Sequence, residues 1–176
     1  MHEVMEGHEA HGSEPWTLPV AVTLAILAVL VAMATLLGHR SSTEELLLQT
    51  QESDQWAFFQ AKNIRLHEMQ SFADVFAIVT PQDKEKAETL REKYLKEAER
   101  YEKEKDEISD KAKELKAERE VVARRGNRFD LAEVILEIAL IICSLTLLTK
   151  NKLFWFAGML VGLFGFLTAA SAFLVH

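Results

Sequence analysis

Two stretches of this chain, 17–38 and 153–175, carry no charged side chain, and a third, 129–149, carries only Asp130, Glu133 and Glu137. A helix rises ~1.5 Å per residue, so runs of this length can cross a hydrocarbon core ~30 Å thick. The apolar residues, 49% of the 176, are therefore not mixed in as they are in a soluble domain. They crowd into three blocks, with a long charged stretch between the first two. The expected fold is an all-α membrane protein with three transmembrane helices at 17–40, 129–149 and 153–176.

The first block opens at Trp16, a ring suited to the headgroup level. Pro15 and Pro19 fall before or within its first turn, where a missing N–H costs least. The tail 1–16 has no Lys or Arg, so the positive region of a cleaved signal is missing, and the block reads as a retained anchor. The turn 150–152, Lys-Asn-Lys, is so short that the second and third spans must run antiparallel. Basic residues gather at 40 and 116–128 rather than in the tail, which places the middle segment in the cytoplasm and the N-terminus outside.

The middle segment, 41–128, leaves and rejoins one membrane face. Ser41 and Ser42 before Glu44 and Glu45 form a helix-start signal, and no Pro or Gly follows until Pro81. Thr80-Pro81-Gln82-Asp83 is the tip, with Thr80 as cap and Asp83 completing a box-like cap. A second helix runs from there to a stop or bend at Gly126-Asn127. Two arms of similar length predict a long antiparallel helical hairpin between the first and second spans. On the second arm Ala87, Tyr94, Tyr101, Ile108, Leu115 and Val122 recur every seven residues. Arg91, Ala98, Lys105, Ala112 and Arg119 form the companion row, the pattern of a coiled coil of modest stability. The first arm has too many large apolar residues for one partner helix to cover. Trp56, Phe58, Phe59, Phe72 and Phe76 are its candidate self-association surface, which predicts a homo-oligomer.

The stretch from Leu37 to Gln49, with Asp54-Gln-Trp-Ala-Phe-Phe-Gln-Ala-Lys-Asn-Ile-Arg65 after it, resembles a bacterial membrane family known only as a domain of unknown function. The resemblance covers almost the whole chain. It implies bacterial origin and an envelope location, with one anchor, a charged coiled-coil region and two closing spans; with the cytoplasmic middle segment, the expected location is the bacterial inner membrane. It carries over no activity, cofactor or catalytic residue.

Three groups of candidate residues follow. Asp130, Glu133 and Glu137 form one stripe of the second span. A carboxylate near the bilayer centre costs at least ~2.5–3.5 kcal/mol, so this stripe is either an ion or proton site or is paired with His39, Arg40 or Arg128. Ala21, Ala25, Ala28 and Ala32 of the first span, and Gly158, Gly162, Gly165 and Ala169 of the third, are small-residue stripes that let helices approach closely. The histidines of the tail, His2, His8 and His11, belong to a mobile acidic segment rather than a metal site. The single Cys143 excludes an internal disulfide and a cysteine-based zinc site. Fifteen basic and fourteen acidic residues in 81–128 cancel, which removes the case for nucleic acid. No nucleophile motif or phosphate loop is present. The expectation is a non-enzymatic, membrane-anchored oligomeric scaffold without cofactor or metal, bound to membrane lipid, to itself and to an unknown protein partner. The alternative is an oligomeric channel or transport accessory whose carboxylates face water.

Overall fold

The computed structural model describes residues 16–78 and 83–175. The histidine-bearing tail and the Thr80-Pro81-Gln82 tip lie outside the described residues. Three α-helices make up nearly all of the rest: α1 (Thr17–Ile78), α2 (Lys84–Thr149) and α3 (Lys152–Ala172). Among the described residues there is no strand. Each helix contains a stretch long and apolar enough to cross a membrane.

Two helix boundaries expected from the sequence are absent. α1 runs without interruption through Ser41 and Ser42. A Ser–Glu signature caps a helix only where the chain enters from a non-helical conformation. Here the preceding turn is already helical, nucleation has been met, and each added residue gains a hydrogen bond. α2 likewise continues through Gly126 and Asn127 to Thr149. No glycine has a positive φ among the described residues, and Gly126 is buried. The cost of a mid-helix glycine, ~1 kcal/mol, is offset by the packing of neighbours on both sides. The start of α2 also shifts: Asp83 is the cap, its Oδ1 accepting from the Lys86 N–H at 3.2 Å. Lys86 holds the Asp83 carboxyl below its ordinary range through that hydrogen bond and its side chain.

The chain divides into two compact units, one of residues up to Arg40 together with those from Arg124 onward, the other Ser41–Ala123. In the first, the apolar unit, α1, α2 and α3 pack around Leu27, Ala34, Leu136, Ala139 and Cys143. Reversal from α2 to α3 takes two residues. Lys150 adopts φ 54°, and Asn151 caps α3, its side chain accepting from the Leu153 N–H at 2.9 Å. In the second, the charged unit, α1 and α2 meet through Leu48 with Leu115 and Val122, and through Leu66 with Ala98 and Tyr101.

Candidate functional site

Close helix approach in the apolar unit is built by glycine on α3. A Cβ placed on Gly158 would collide with the Cys143 Sγ and lie 3.0 Å from the Cys143 nitrogen. One on Gly162 would lie 2.8 Å from Leu27 Cδ2, and one on Gly165 2.9 Å from Leu136 Cγ. The glycine stripe is thus the inner face of α3, against both α1 and α2, with Ala169 half-buried at its end. The alanine stripe of α1 is placed differently. Ala21, Ala25, Ala28 and Ala32 are all exposed, and the packed face of α1 is Val20, Leu27, Ala34 and Gly38. At the other end of the unit the Trp155 indole donates to Thr23 Oγ1 at 3.1 Å, tying the start of α3 to the start of α1.

The three acids of α2 sit in three different settings. Glu133 is half-buried and accepts a 2.6 Å hydrogen bond from Thr35 Oγ1, across to α1. Asp130 is exposed, and its Oδ1 lies over Gly38, 2.6 Å from where a Cβ would stand. Gly38 therefore makes room for this carboxylate, a role the sequence alone did not flag. Glu137 is exposed on the outside of the unit. Among the described residues, no ion pair joins any of these acids to Arg40 or Arg128. Arg128 donates instead to Ser171 Oγ at 2.8 Å. His39 is exposed near the end of the apolar stretch of α1. Chemically, the stripe is one hydroxyl-bonded carboxylate between helices (Glu133), one exposed carboxylate seated over Gly38 (Asp130), and one on the outer surface (Glu137) with no ion pair or hydrogen bond among the described residues.

In the charged unit a seam of 4,3 spacing runs along each helix. On α2 the positions from Ala87 to Val122, including Arg91, Lys105 and Arg119, are all buried or half-buried. On α1 the inner row is Ser41, Leu48, Phe59, Leu66, Ala73 and Phe76, interleaved with Glu45, Glu52, Gln55, Lys62 and Met69. Two polar members of this row, Glu52 and Lys62, find partners across the seam. Glu52 meets Arg119 at 2.9 Å, both side chains largely shielded. Lys62 pairs with Glu104 and also lies 5.1 Å from the centre of the Tyr101 ring. That ion pair holds the Glu104 carboxyl below its usual range, with Arg100 assisting.

The aromatic residues of α1 divide between the seam and the surface. Trp56 and Phe59 are half-buried and pack edge to face, 5.5 Å apart. Phe76 is half-buried and stacks on Tyr94 at 5.8 Å. Phe58 and Phe72 remain 50% and 48% exposed. They are two heptads apart, hence on one edge beside the seam. Ile64 and Val75 add further exposed apolar area on the same helix. The predicted association surface thus contains two kinds of residue, of which Phe58 and Phe72 are the outward ones.

The model of one protein family, described as a domain of unknown function (DUF4337), matches residues 16–175. No curated protein and no solved structure matches the chain.

Proposed function

The chain belongs to that family of unknown function, and from this premise we propose that it is a non-enzymatic, membrane-anchored scaffold that self-associates. Residues 17–40, 129–149 and 153–175 cross a bacterial inner membrane, with the N-terminus outside. Residues 41–128 form an antiparallel coiled-coil hairpin in the cytoplasm, and copies of it pack side by side. The order of the cross-helix partners supports the hairpin: Glu52 with Arg119, Lys62 with Glu104 and Phe72 with Tyr94 run in opposite directions along the two helices.

The observation that carries the proposal is the pair of exposed rings Phe58 and Phe72 on one edge, with exposed Val75 next to Phe72, beside a seam that is already filled. Large aromatic side chains left exposed on one edge of a helix, here flanking the exposed Arg65, mark an association surface. Replacing Phe58 and Phe72 together by Ser leaves the seam residues themselves unchanged but gives up the Phe72–Tyr94 ring contact. The variant is expected to insert normally and to lose oligomer mass by light scattering in detergent. A wild type that is monomeric at every concentration sinks the proposal.

A second reading has one observation in its favour. Glu137 lies on the outer surface of the apolar unit with no partner among the described residues. A carboxylate facing lipid is costly, so a neighbouring copy or a water-filled path between copies would relieve it. Glu137→Gln keeps the shape and removes the charge. A conducting oligomer would lose its cation- or pH-dependent flux in liposomes, whereas a scaffold would change only in assembly or thermal stability.

A further inference from the structure

We propose that the end of the apolar unit formed by the 124–128 turn of α2 and the C-terminal end of α3 binds the phosphate of an anionic phospholipid. An open cavity of about 440 Å³ lies there, lined by Arg124, Asn127, Arg128, Ser171, Leu174 and Val175. Among the described residues no carboxylate lines it. The chain as a whole carries a net charge of −7, so a cluster of three arginines within five residues is not an average of composition.

Among the described residues these arginines also lack counter-charges. Elsewhere on α2, Arg91 pairs with Glu88, Arg100 with Glu97 and Arg119 with Glu52. Among the described residues Arg124, Arg125 and Arg128 make no ion pair. Arg128 reaches only the Ser171 hydroxyl, at 2.8 Å, and Arg125 only the Val175 carbonyl, at 3.5 Å. The Nε of Arg125 is buried with no acceptor. Of the three, Arg124 and Arg128 line the cavity and Arg125 stands behind it; guanidinium donors without a counter-charge around a cavity call for an oxyanion, and the planar fork matches phosphate oxygens two at a time.

The other wall of the cavity identifies the source of that phosphate. Leu174 is 77% exposed and sits beside Val175, and Phe173, also exposed, packs edge to face on Phe129. Donors on one side and bare apolar side chains on the other fit an amphiphile rather than a free ion. The site adjoins the apolar stretch of α2 that begins at Phe129, the level at which headgroups lie if that stretch spans a bilayer. The proposal rests on that membrane reading.

The test uses the full chain in neutral detergent, with phosphatidylglycerol and phosphatidylcholine supplied together and retained lipid read by native mass spectrometry. Wild type is expected to hold phosphatidylglycerol at least about tenfold in preference. Arg124→Gln with Arg128→Gln is expected to lose roughly fivefold per arginine. Arg128→Lys keeps the charge without the fork and falls between. Lys150→Gln with Lys152→Gln, at the opposite end of the α2–α3 pair, leaves the preference unchanged. Circular dichroism confirms that each variant is folded. Equal retention of the two lipids, or a preference indifferent to Arg124 and Arg128, overturns the proposal. Displacement by inorganic phosphate at equal concentration overturns the lipid assignment in favour of a soluble anion. Carbonate washing separates the two levels: a chain released from membranes defeats the membrane reading as well, while a carbonate-resistant chain without lipid preference defeats this proposal alone.

Discussion

Substituting alanine at each α3 glycine in turn should give a graded series rather than a uniform loss. At Gly158 the new methyl meets the Cys143 Sγ, the Cys143 nitrogen at 3.0 Å and the Ala139 carbonyl oxygen at 3.1 Å. Two of these are backbone and cannot rotate away, so α2 and α3 must part by about half an ångström to restore ordinary contact. Overpacking of this kind costs ~1–3 kcal/mol, and the gain in helix propensity returns up to ~1 kcal/mol. At Gly162 the obstacle is the tip of Leu27, 2.8 Å away, with Ala139 Cβ already at an ordinary 3.6 Å. A leucine tip adjusts for ~0.5–1.5 kcal/mol, which the propensity gain roughly cancels. Gly165 falls between, because it meets the Leu136 branch carbon at 2.9 Å and Ile135 Cγ2 at 3.1 Å. The expected order of destabilisation is Gly158→Ala, then Gly165→Ala, then Gly162→Ala, with about 1–2 kcal/mol between first and last. Reversible unfolding in mixed micelles, followed by far-ultraviolet circular dichroism, measures it. Equal stabilities, or Gly162→Ala as the worst of the three, would refute the packing of α3 described above.

The charged unit supplies two further expectations. Glu52→Gln and Arg119→Gln should couple in a double-mutant cycle by about 0.5–3 kcal/mol, because the pair is shielded and joined at 2.9 Å; additivity within error would mean that the two side chains do not meet. The folded state depresses the Glu104 carboxyl through Lys62, so its contribution is fully present above the ordinary carboxylate value of ~4.3 and is lost as pH falls through the lower folded value. The gap in melting temperature between wild type and Glu104→Gln should therefore be constant near neutrality and close below about pH 4.

What the sequence made legible depended on contrast between faces. The α2 seam stood out because Ala, Tyr, Leu and Val recur among Lys, Arg, Glu and Asp. The α1 seam obeys the same 4,3 spacing but was hidden, since Ser41, Glu45, Glu52, Gln55 and Lys62 occupy inner positions while Leu46, Phe58 and Ile64 face out. Each polar inner residue needs a partner on the other helix before its burial makes sense, and such pairings cannot be read from one helix alone. In the apolar stretches every face is apolar, so periodicity carries no signal there. The glycines of α3 were readable because only backbone approach explains them, whereas the alanines of α1 gave the same rhythm on a face that packs against none of the described residues. Gly126 and Ser41 misled for a related reason. Both continue the buried 4,3 rows of their helices, Gly126 between Val122 and Phe129 and Ser41 between Gly38 and Leu48, so the residues that resembled punctuation are packing positions.

Side-by-side association of the hairpins is the claim on which the scaffold stands, and cross-linking in native membranes addresses it without detergent. With Cys143→Ala removing the single thiol, Phe58→Cys and Phe72→Cys are introduced singly and treated with a short bifunctional maleimide. Both positions should yield dimers of the chain, while Ala98→Cys, buried in the seam, should yield none. Absence of dimers at 58 and 72, or equal yield at 98, would contradict the account.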